Sequence, residues 1–232
     1  MKFAFIGNGR ISERHKKAIE KIGGEIVQIY DPLLSNVQKI EHLFKWDFEY
    51  VVICSPNYLH YEHIKLCLDN NRKVIVEKPM ILPWQNVIDD DRINIVLQFR
   101  WLDLPKEADV VEVVMPRNKK YMKTWKGDSR LTGGHFYNMF IHYIDLALLL
   151  DARFEGKIVE EGKAVRKIDN FDLLNIDMDL LYEKMYRDIV FEDKGVKPKD
   201  IMFLNWWLER ISFKYGFSSN IFDKKIVIEN ML

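Results

Sequence analysis

A short apolar run that breaks straight into glycines constrains this chain more than any other stretch: Met1–Ser12, MKFAFIGNGRIS. Phe3, Ala4, Phe5 and Ile6 have no polar break, as a strand buried on both faces requires. Gly7-Asn8-Gly9 follows at once. Ile11–Ile22 then has helical character, with Ile11, Ala18, Ile19 and Ile22 on one side, and Gly23-Gly24 closes it. Strand, glycine turn and helix form the context in which G-x-G reads as a dinucleotide site. Glycines let the backbone approach a pyrophosphate, and the helix start offers unpaired N–H groups and a partial positive charge. Gly7, Asn8, Gly9, Arg10 and Ile11 are the candidate contacts. Ser12 replaces the third glycine of the fingerprint and is small enough for close helix–strand packing. A tight turn without a ligand would carry the same pattern.

The next segments repeat the alternation of strand and helix. Glu25–Tyr30 reads as a second strand ended by Asp31-Pro32. An acidic residue about 20 positions past the glycines is placed to hold a ribose 2′-hydroxyl, and it repels a 2′-phosphate, so Asp31 favours NAD over NADP. A plain turn is the other reading of Asp31-Pro32. Glu49–Ser55 is a further buried strand, followed by Pro56-Asn57-Tyr58-Leu59-His60 in a loop and a helix over Tyr61–Asn70. Lys73–Val76 is the next strand and ends in Glu77-Lys78-Pro79. A lysine at a strand end in a cleft can be desolvated and made fit for proton transfer; a lone lysine is otherwise a solvated surface residue.

Composition narrows the partners. The chain has 232 residues, 35 Lys plus Arg and 35 Asp plus Glu, so no basic excess points to nucleic acid or an anionic membrane. Cys54 and Cys67 lack metal-ligand spacing and read as buried free thiols in a reducing compartment. No run is long and apolar enough to span a bilayer, and no signal-peptide pattern opens the chain. A cytoplasmic protein without a membrane or nucleic-acid partner is expected.

Gly7-Asn8-Gly9, Tyr30-Asp31-Pro32, Ser55-Pro56-Asn57-Tyr58-Leu59-His60 and Glu77-Lys78-Pro79, in this order, resemble the Gfo/Idh/MocA oxidoreductase family. The resemblance implies that NAD lies across the carboxyl edge of the first sheet. Gly7, Gly9 and the turn after them would hold the pyrophosphate and Asp31 the ribose. Ser55, Asn57, His60 and Glu77 would line the path to the nicotinamide, and Lys78 would be catalytic.

In the second half, Ile93–Phe99 reads as a strand leading to Arg100, which would hold an anionic substrate or form a structural ion pair. Asp109–Met115 is a strand. After Gly133-Gly134, a helical stretch places Asn138, His142 and Asp145 on one face. A satisfied core histidine is the ordinary reading of His142, and no clustered ligands support a metal there. Gly133-Gly134, Asn138, His142 and Asp145 resemble the family's Gly-Gly…Asp/Asn…His…Asp signature, whose histidine stands between substrate and nicotinamide. Phe140 departs from it, since a small residue usually precedes the histidine by two; a phenylalanine there is expected to crowd the nicotinamide side. Trp125-Lys126-Gly127-Asp128 is similar to family 3-dehydrogenases acting on UDP-N-acetylglucosaminuronate or UDP-N-acetylglucosamine. The resemblance thus implies that Lys126 and Asp128 lie in a sugar pocket and that Lys78 and His142 are catalytic; Arg100, Trp125, Asn138 and His142 are the further candidate substrate contacts.

Beyond residue 150 the expected strands are Lys157–Val159, Lys163–Ile168 and Leu173–Ile176, with a helix over Met178–Val190 burying Leu181, Met185 and Ile189. A last helix follows Lys197-Pro198-Lys199-Asp200, an aromatic-rich tail holds Trp206, Trp207, Phe213, Tyr215 and Phe217, and Ile221–Ile228 reads as a final strand. The expected architecture is α/β: a doubly wound parallel Rossmann sheet over residues 1–100, and a reduced α+β domain on a mostly antiparallel sheet over residues 101–232. The aromatic tail needs cover, so a homo-oligomer, dimer or tetramer, is expected. The alternatives are a non-catalytic NAD(H) or nucleotide-sugar binding protein on the same fold, and an oxidoreductase for a free sugar or cyclitol.

Overall fold

The computed structural model describes residues 1–33, 39–211, 214, 222 and 225–229. Its elements begin with β1 (Lys2–Ile6), α1 (Ser12–Lys21), β2 (Glu25–Tyr30), β3 (Tyr50–Ile53), α2 (His60–Asp69), β4 (Lys73–Val76) and β5 (Ile93–Ile95). Next come β6 (Val110–Pro116), α3 (Lys119–Met122), α4 (Ser129–Thr132), α5 (His135–Leu149), β7 (Arg153–Val159), β8 (Val165–Ile168) and β9 (Phe171–Asp172). The last are α6 (Met178–Arg187), α7 (Met202–Ile211) and β10 (Lys225–Ile228). The chain packs as two units, one of Met1–Trp101 with Asp177–Ile201, the other of Leu102–Ile176 with Met202–Leu232. The segment Asp177–Ile201, which the division at residue 100 assigns to the second domain, therefore packs with the first unit.

Unit 1 holds a parallel sheet in the order β2-β1-β3-β4-β5. Phe3, Ala4, Phe5, Val51, Val52, Val74 and Ile75 are fully buried, which explains why the strands read as unbroken apolar runs. Register aligns Ile6 with Tyr30 on one side and Ile53 on the other. Gly7, Asp31 and Cys54-Ser55 therefore leave the sheet side by side, at the point where strand order reverses. α1 buries Ser12, His15, Ala18 and Ile19, so its inner face is partly polar. α6 packs on α1, and Tyr182, Met185, Tyr186 and Ile189 join Phe3, Phe5, Tyr50 and Ile75 in one core. The expected strand Ile93–Phe99 stops at Ile95, because Ile95 N–H turns to the carbonyl of Val196 and Gln98–Trp101 forms a 3-10 turn.

Unit 2 holds a sheet in the order β10-β7-β6-β8-β9, antiparallel except for β6–β7. Val111, Val113 and Met115 are buried, the alternation of a sheet covered on one face. The expected strand Leu173–Ile176 is not one. The hairpin ends at Asp172, whose carboxylate accepts the N–H of Leu174 at 2.7 Å and turns the chain. α7 buries Leu204, Leu208 and Ile211. Trp206 is exposed, while Phe213, Tyr215, Phe217 and the first residue of the expected strand, Ile221, lie outside the described residues. Among the described residues no helix is long and apolar enough to cross a membrane, and no group of three or more His, Cys, Asp or Glu could hold a metal ion.

Candidate functional site

At the end of β1 the backbone turns at Gly7 with φ +98°, a left-handed conformation that favours glycine. A Cβ at Gly7 would lie 2.7 Å from the carbonyl carbon of Cys54, so β1 and β3 can diverge here only around a glycine. Gly9 is different: a Cβ there would meet nothing within 4 Å, so its hydrogen faces open space. The loop is tied on both sides. Gly7 N–H donates to Tyr30 O at 2.7 Å, and Asn8 N–H donates to Asp31 Oδ2 at 2.8 Å. Ser12 Oγ donates to Gly9 O at 2.6 Å, so the residue in place of the third glycine closes the loop itself. Lys16 Nζ reaches Asn8 Oδ1 at 2.5 Å, adding a positive charge to the start of α1. Arg10 is exposed and Ile11 half-buried in the same turn. Asp31 Oδ1 accepts from Leu33 N–H at 2.9 Å. A carboxylate oxygen accepts more than one hydrogen bond, so Asp31 can also receive ribose hydroxyls. The open side of Gly9, the first-turn N–H groups of α1 and Asp31 fit a dinucleotide.

The loop after β3 lies beside this cradle. Asn57 is buried. Ser55 Oγ is 2.9 Å from Nδ1 of His63, and burial, with the nearby His60, lowers the His63 pKa to about 4. His60 is fully buried, with Nδ1 2.7 Å from Pro79 O and Nε2 2.8 Å from Ser55 O. Its ring joins two loops through their backbones and presents no edge to solvent.

β4 ends in Glu77-Lys78-Pro79, with the Lys78–Pro79 peptide cis and Lys78 half-buried. The Glu77 carboxylate faces inward. Oε1 is 3.0 Å from His15 Nε2 and accepts the Tyr182 hydroxyl at 3.0 Å, and Oε2 accepts the backbone N–H of Lys78 at 3.2 Å. His15 Nδ1 lies 2.7 Å from the Tyr186 hydroxyl. Burial and the Glu77 carboxylate push the Tyr182 pKa well up; burial, Cys54 and Glu77 do the same for Tyr186. Both hydroxyls therefore stay protonated, and that of Tyr182 donates to Glu77. His15 Nε2 thus faces a carboxylate, which only accepts, and Nδ1 faces a hydroxyl, which can donate or accept. His15, Tyr182 and Tyr186 were missed by the sequence reading. The one available signal was His15 on the inner face of α1; nothing local places Tyr182 and Tyr186 beside it. Arg100 lies half-buried in the turn after β5.

Unit 2 holds the remaining candidates. Trp125 and Asp128 border a depression of about 490 Å³ formed by residues 122–125 and 127–131. Lys126 is exposed, with its ammonium 5.7 Å from the centre of the Trp125 ring. Asp128 caps α4 by accepting Arg130 N–H at 2.9 Å and also pairs with the Arg130 guanidinium at 2.6 Å, which lowers its pKa. Gly133 (φ +81°) and Gly134 (φ +103°) separate α4 from α5. On α5, Asn138 and Asp145 are buried and His142 is half-buried on the face they share. Phe140 points elsewhere. It is fully buried, 5.6 Å from the Phe136 ring and 5.5 Å from the Phe154 ring, above Gly156, where a Cβ would lie 2.9 Å from it. The phenylalanine expected to crowd the nicotinamide side is thus consumed in the helix–sheet packing of unit 2, with Gly156 giving it room.

Residues 1–90 match the family described as "Oxidoreductase family, NAD-binding Rossmann fold", Gfo/Idh/MocA. Over these residues the chain is similar to the Gfo/Idh/MocA oxidoreductase family. The cofactor of the matched fold is NAD. The chain is 25% identical over 198 residues to the glucose-6-phosphate 3-dehydrogenase of Bacillus subtilis (strain 168), covering 69% of this chain and 56% of that protein. It thus spans little more than half the length of this curated relative. Solved structures show the fold. The WlbA (WbpB) dehydrogenase of Thermus thermophilus with NAD and α-ketoglutarate superposes with TM-score 0.74 and 20% identity, over 95% of this chain and 97% of that one. The same enzyme with NAD and UDP-GlcNAcA gives TM-score 0.74 and 22% identity over 91% and 94%. A myo-inositol dehydrogenase of Corynebacterium glutamicum gives TM-score 0.64 and 13% identity over 99% of each chain.

Proposed function

We propose that this protein is an NAD-dependent dehydrogenase that oxidises the C3 hydroxyl of a UDP-N-acetylhexosamine or its uronate, in the synthesis of surface-polysaccharide sugars. The observation that carries the reading is the joint placement of the Gly7–Gly9 loop, Asp31 and the Glu77-Lys78-Pro79 turn at one carboxyl edge of the unit 1 sheet. NAD supplies the hydride acceptor. Lys78 polarises the oxygen of the alcohol and His142 takes its proton. Arg100, Trp125, Lys126, Asp128 and Asn138 orient the sugar and its anionic groups. Support for the substrate class comes from the Thermus thermophilus enzyme solved with UDP-GlcNAcA, and from the 3-dehydrogenase named for the Bacillus subtilis relative. The protein works in the cytoplasm as a homo-oligomer, the exposed Phe203 and Trp206 of α7 being covered by a second copy.

The test is NADH absorbance in a near-stoichiometric mixture of enzyme, NAD and nucleotide sugar, because an unfavourable equilibrium hides multiple turnover. UDP-N-acetylglucosaminuronate and UDP-N-acetylglucosamine run beside glucose 6-phosphate and myo-inositol. NADH with one nucleotide sugar, lost in His142→Ala and in Lys78→Ala, is the expected outcome. NADH with glucose 6-phosphate or myo-inositol alone overturns the nucleotide-sugar assignment. Binding of NAD and nucleotide sugar without NADH makes the protein a binder on this fold.

A further inference from the structure

The turn that carries Lys78 is held at both ends by buried histidines, and the two are held differently. At the Glu77 end, the two His15 ring nitrogens meet a carboxylate and a hydroxyl, and the hydroxyl can either donate or accept. At the Pro79 end, His60 has two acceptors. Its Nδ1 meets Pro79 O at 2.7 Å and its Nε2 meets Ser55 O at 2.8 Å, with the ring fully buried between them. A carbonyl oxygen accepts and never donates. A neutral ring would satisfy one carbonyl and press a lone pair against the other at hydrogen-bond distance. Only the doubly protonated ring donates to both, and both contacts have the length of charge-assisted bonds.

We propose that His60 is a proton-operated clasp that ties the Ser55 loop to the Pro79 turn and thereby positions the backbone around Lys78 and the cofactor. When the ring loses a proton, one carbonyl is released and the two loops part. His60 acts through these backbones and is a positioning residue. It rests on the cofactor assignment of unit 1 and not on the choice of substrate.

The charges around the ring set the direction of its titration. Burial lowers the His60 pKa; the Pro79 and Ser55 carbonyls and the Glu77 carboxylate raise it, and the Lys78 ammonium lowers it, leaving it below the ordinary histidine value. His63, one turn along α2, has its own pKa lowered to about 4 by burial and by His60. The clasp is therefore closed on the acid side and opens as pH rises through the His60 pKa.

The experiment titrates NADH into the full-length protein from about pH 5 to about pH 8, reading energy transfer from protein to nicotinamide. The dissociation constant should rise about tenfold across the range, the loss of one charge-assisted hydrogen bond. In His60→Gln the amide donates without titrating, and the slope should vanish. A flat wild-type profile, or a slope that persists in His60→Gln, overturns the proposal. Nitrogen-15 spectra of the wild-type histidine rings read the clasp without cofactor or mutation. Both His60 nitrogens protonated at the acid end and one at the other supports it; a single neutral tautomer throughout overturns it. Failure to bind NADH at any pH defeats the cofactor assignment instead, and the ring spectra still decide the clasp.

Discussion

Asp31 and Glu77 in unit 1 are bonded to residues far away in the chain, whereas Asp128 and the Lys126 backbone in unit 2 are bonded to their sequence neighbours. Asp31 binds Asn8, 23 positions away, Glu77 binds His15 at 62, and Tyr182 binds Glu77 at 105. In unit 2, Asp128 binds Arg130, two positions away, and Lys126 N–H is held by Thr124. Long-range bonds among buried groups exist only when the whole unit is folded, so they preorganise the cofactor edge. Short-range bonds at an exposed loop form with the loop and leave it free to adapt. Each unit thus holds its candidate groups in its own way, one through the finished fold and the other through the local turn.

The contrast can be broken by mutation. Glu77→Leu should have the largest effect. It strands the His15 and Tyr182 donors inside the core and frees the Lys78 N–H, so urea denaturation should show a loss of about 3 kcal/mol, with the helical content of the native state retained. The second effect is in acid. Folded His63 has a pKa of about 4 against 6.5 for the unperturbed ring, so the unfolded chain binds the proton first and stability falls as pH drops from about 6.5 to 4. The His63 share of the loss should be about 3 kcal/mol at most, so the slope should be reduced in His63→Gln, with the share of buried His60 left, read as urea midpoints against pH. Arg130→Ala should do least. The Asp128–Arg130 pair is solvent-exposed, and Asp128 still caps α4, so the melting temperature should stay within error.

What was legible in the sequence follows a different line. The strand–glycine–helix run, Asp31 and the Glu77-Lys78-Pro79 turn were readable because residue order and spacing mark them, although the bonds that hold Asp31 and Glu77 come from far along the chain. The return of Met178–Arg187 to unit 1 was not. Its apolar face, Leu181, Met185 and Ile189, says that the helix is buried but not against what, and Tyr182 and Tyr186 gain their meaning only from Glu77. Phe140 was misplaced for a related reason: its room comes from Gly156, across the helix–sheet interface. The strand expected over Leu173–Ile176 failed to a local competitor, the Asp172 carboxylate, that apolar patterning ignores.

The central claim is that the cofactor edge is completed by a helix from the far end of the chain. Calorimetric titration of NADH into Tyr182→Phe tests it most directly, because the change removes one hydroxyl and leaves the ring packing in place. The account predicts NADH binding weakened about five- to tenfold, since the Glu77 carboxylate loses one of the donors that aim it. Binding equal to wild type, with an unchanged fold, would contradict it.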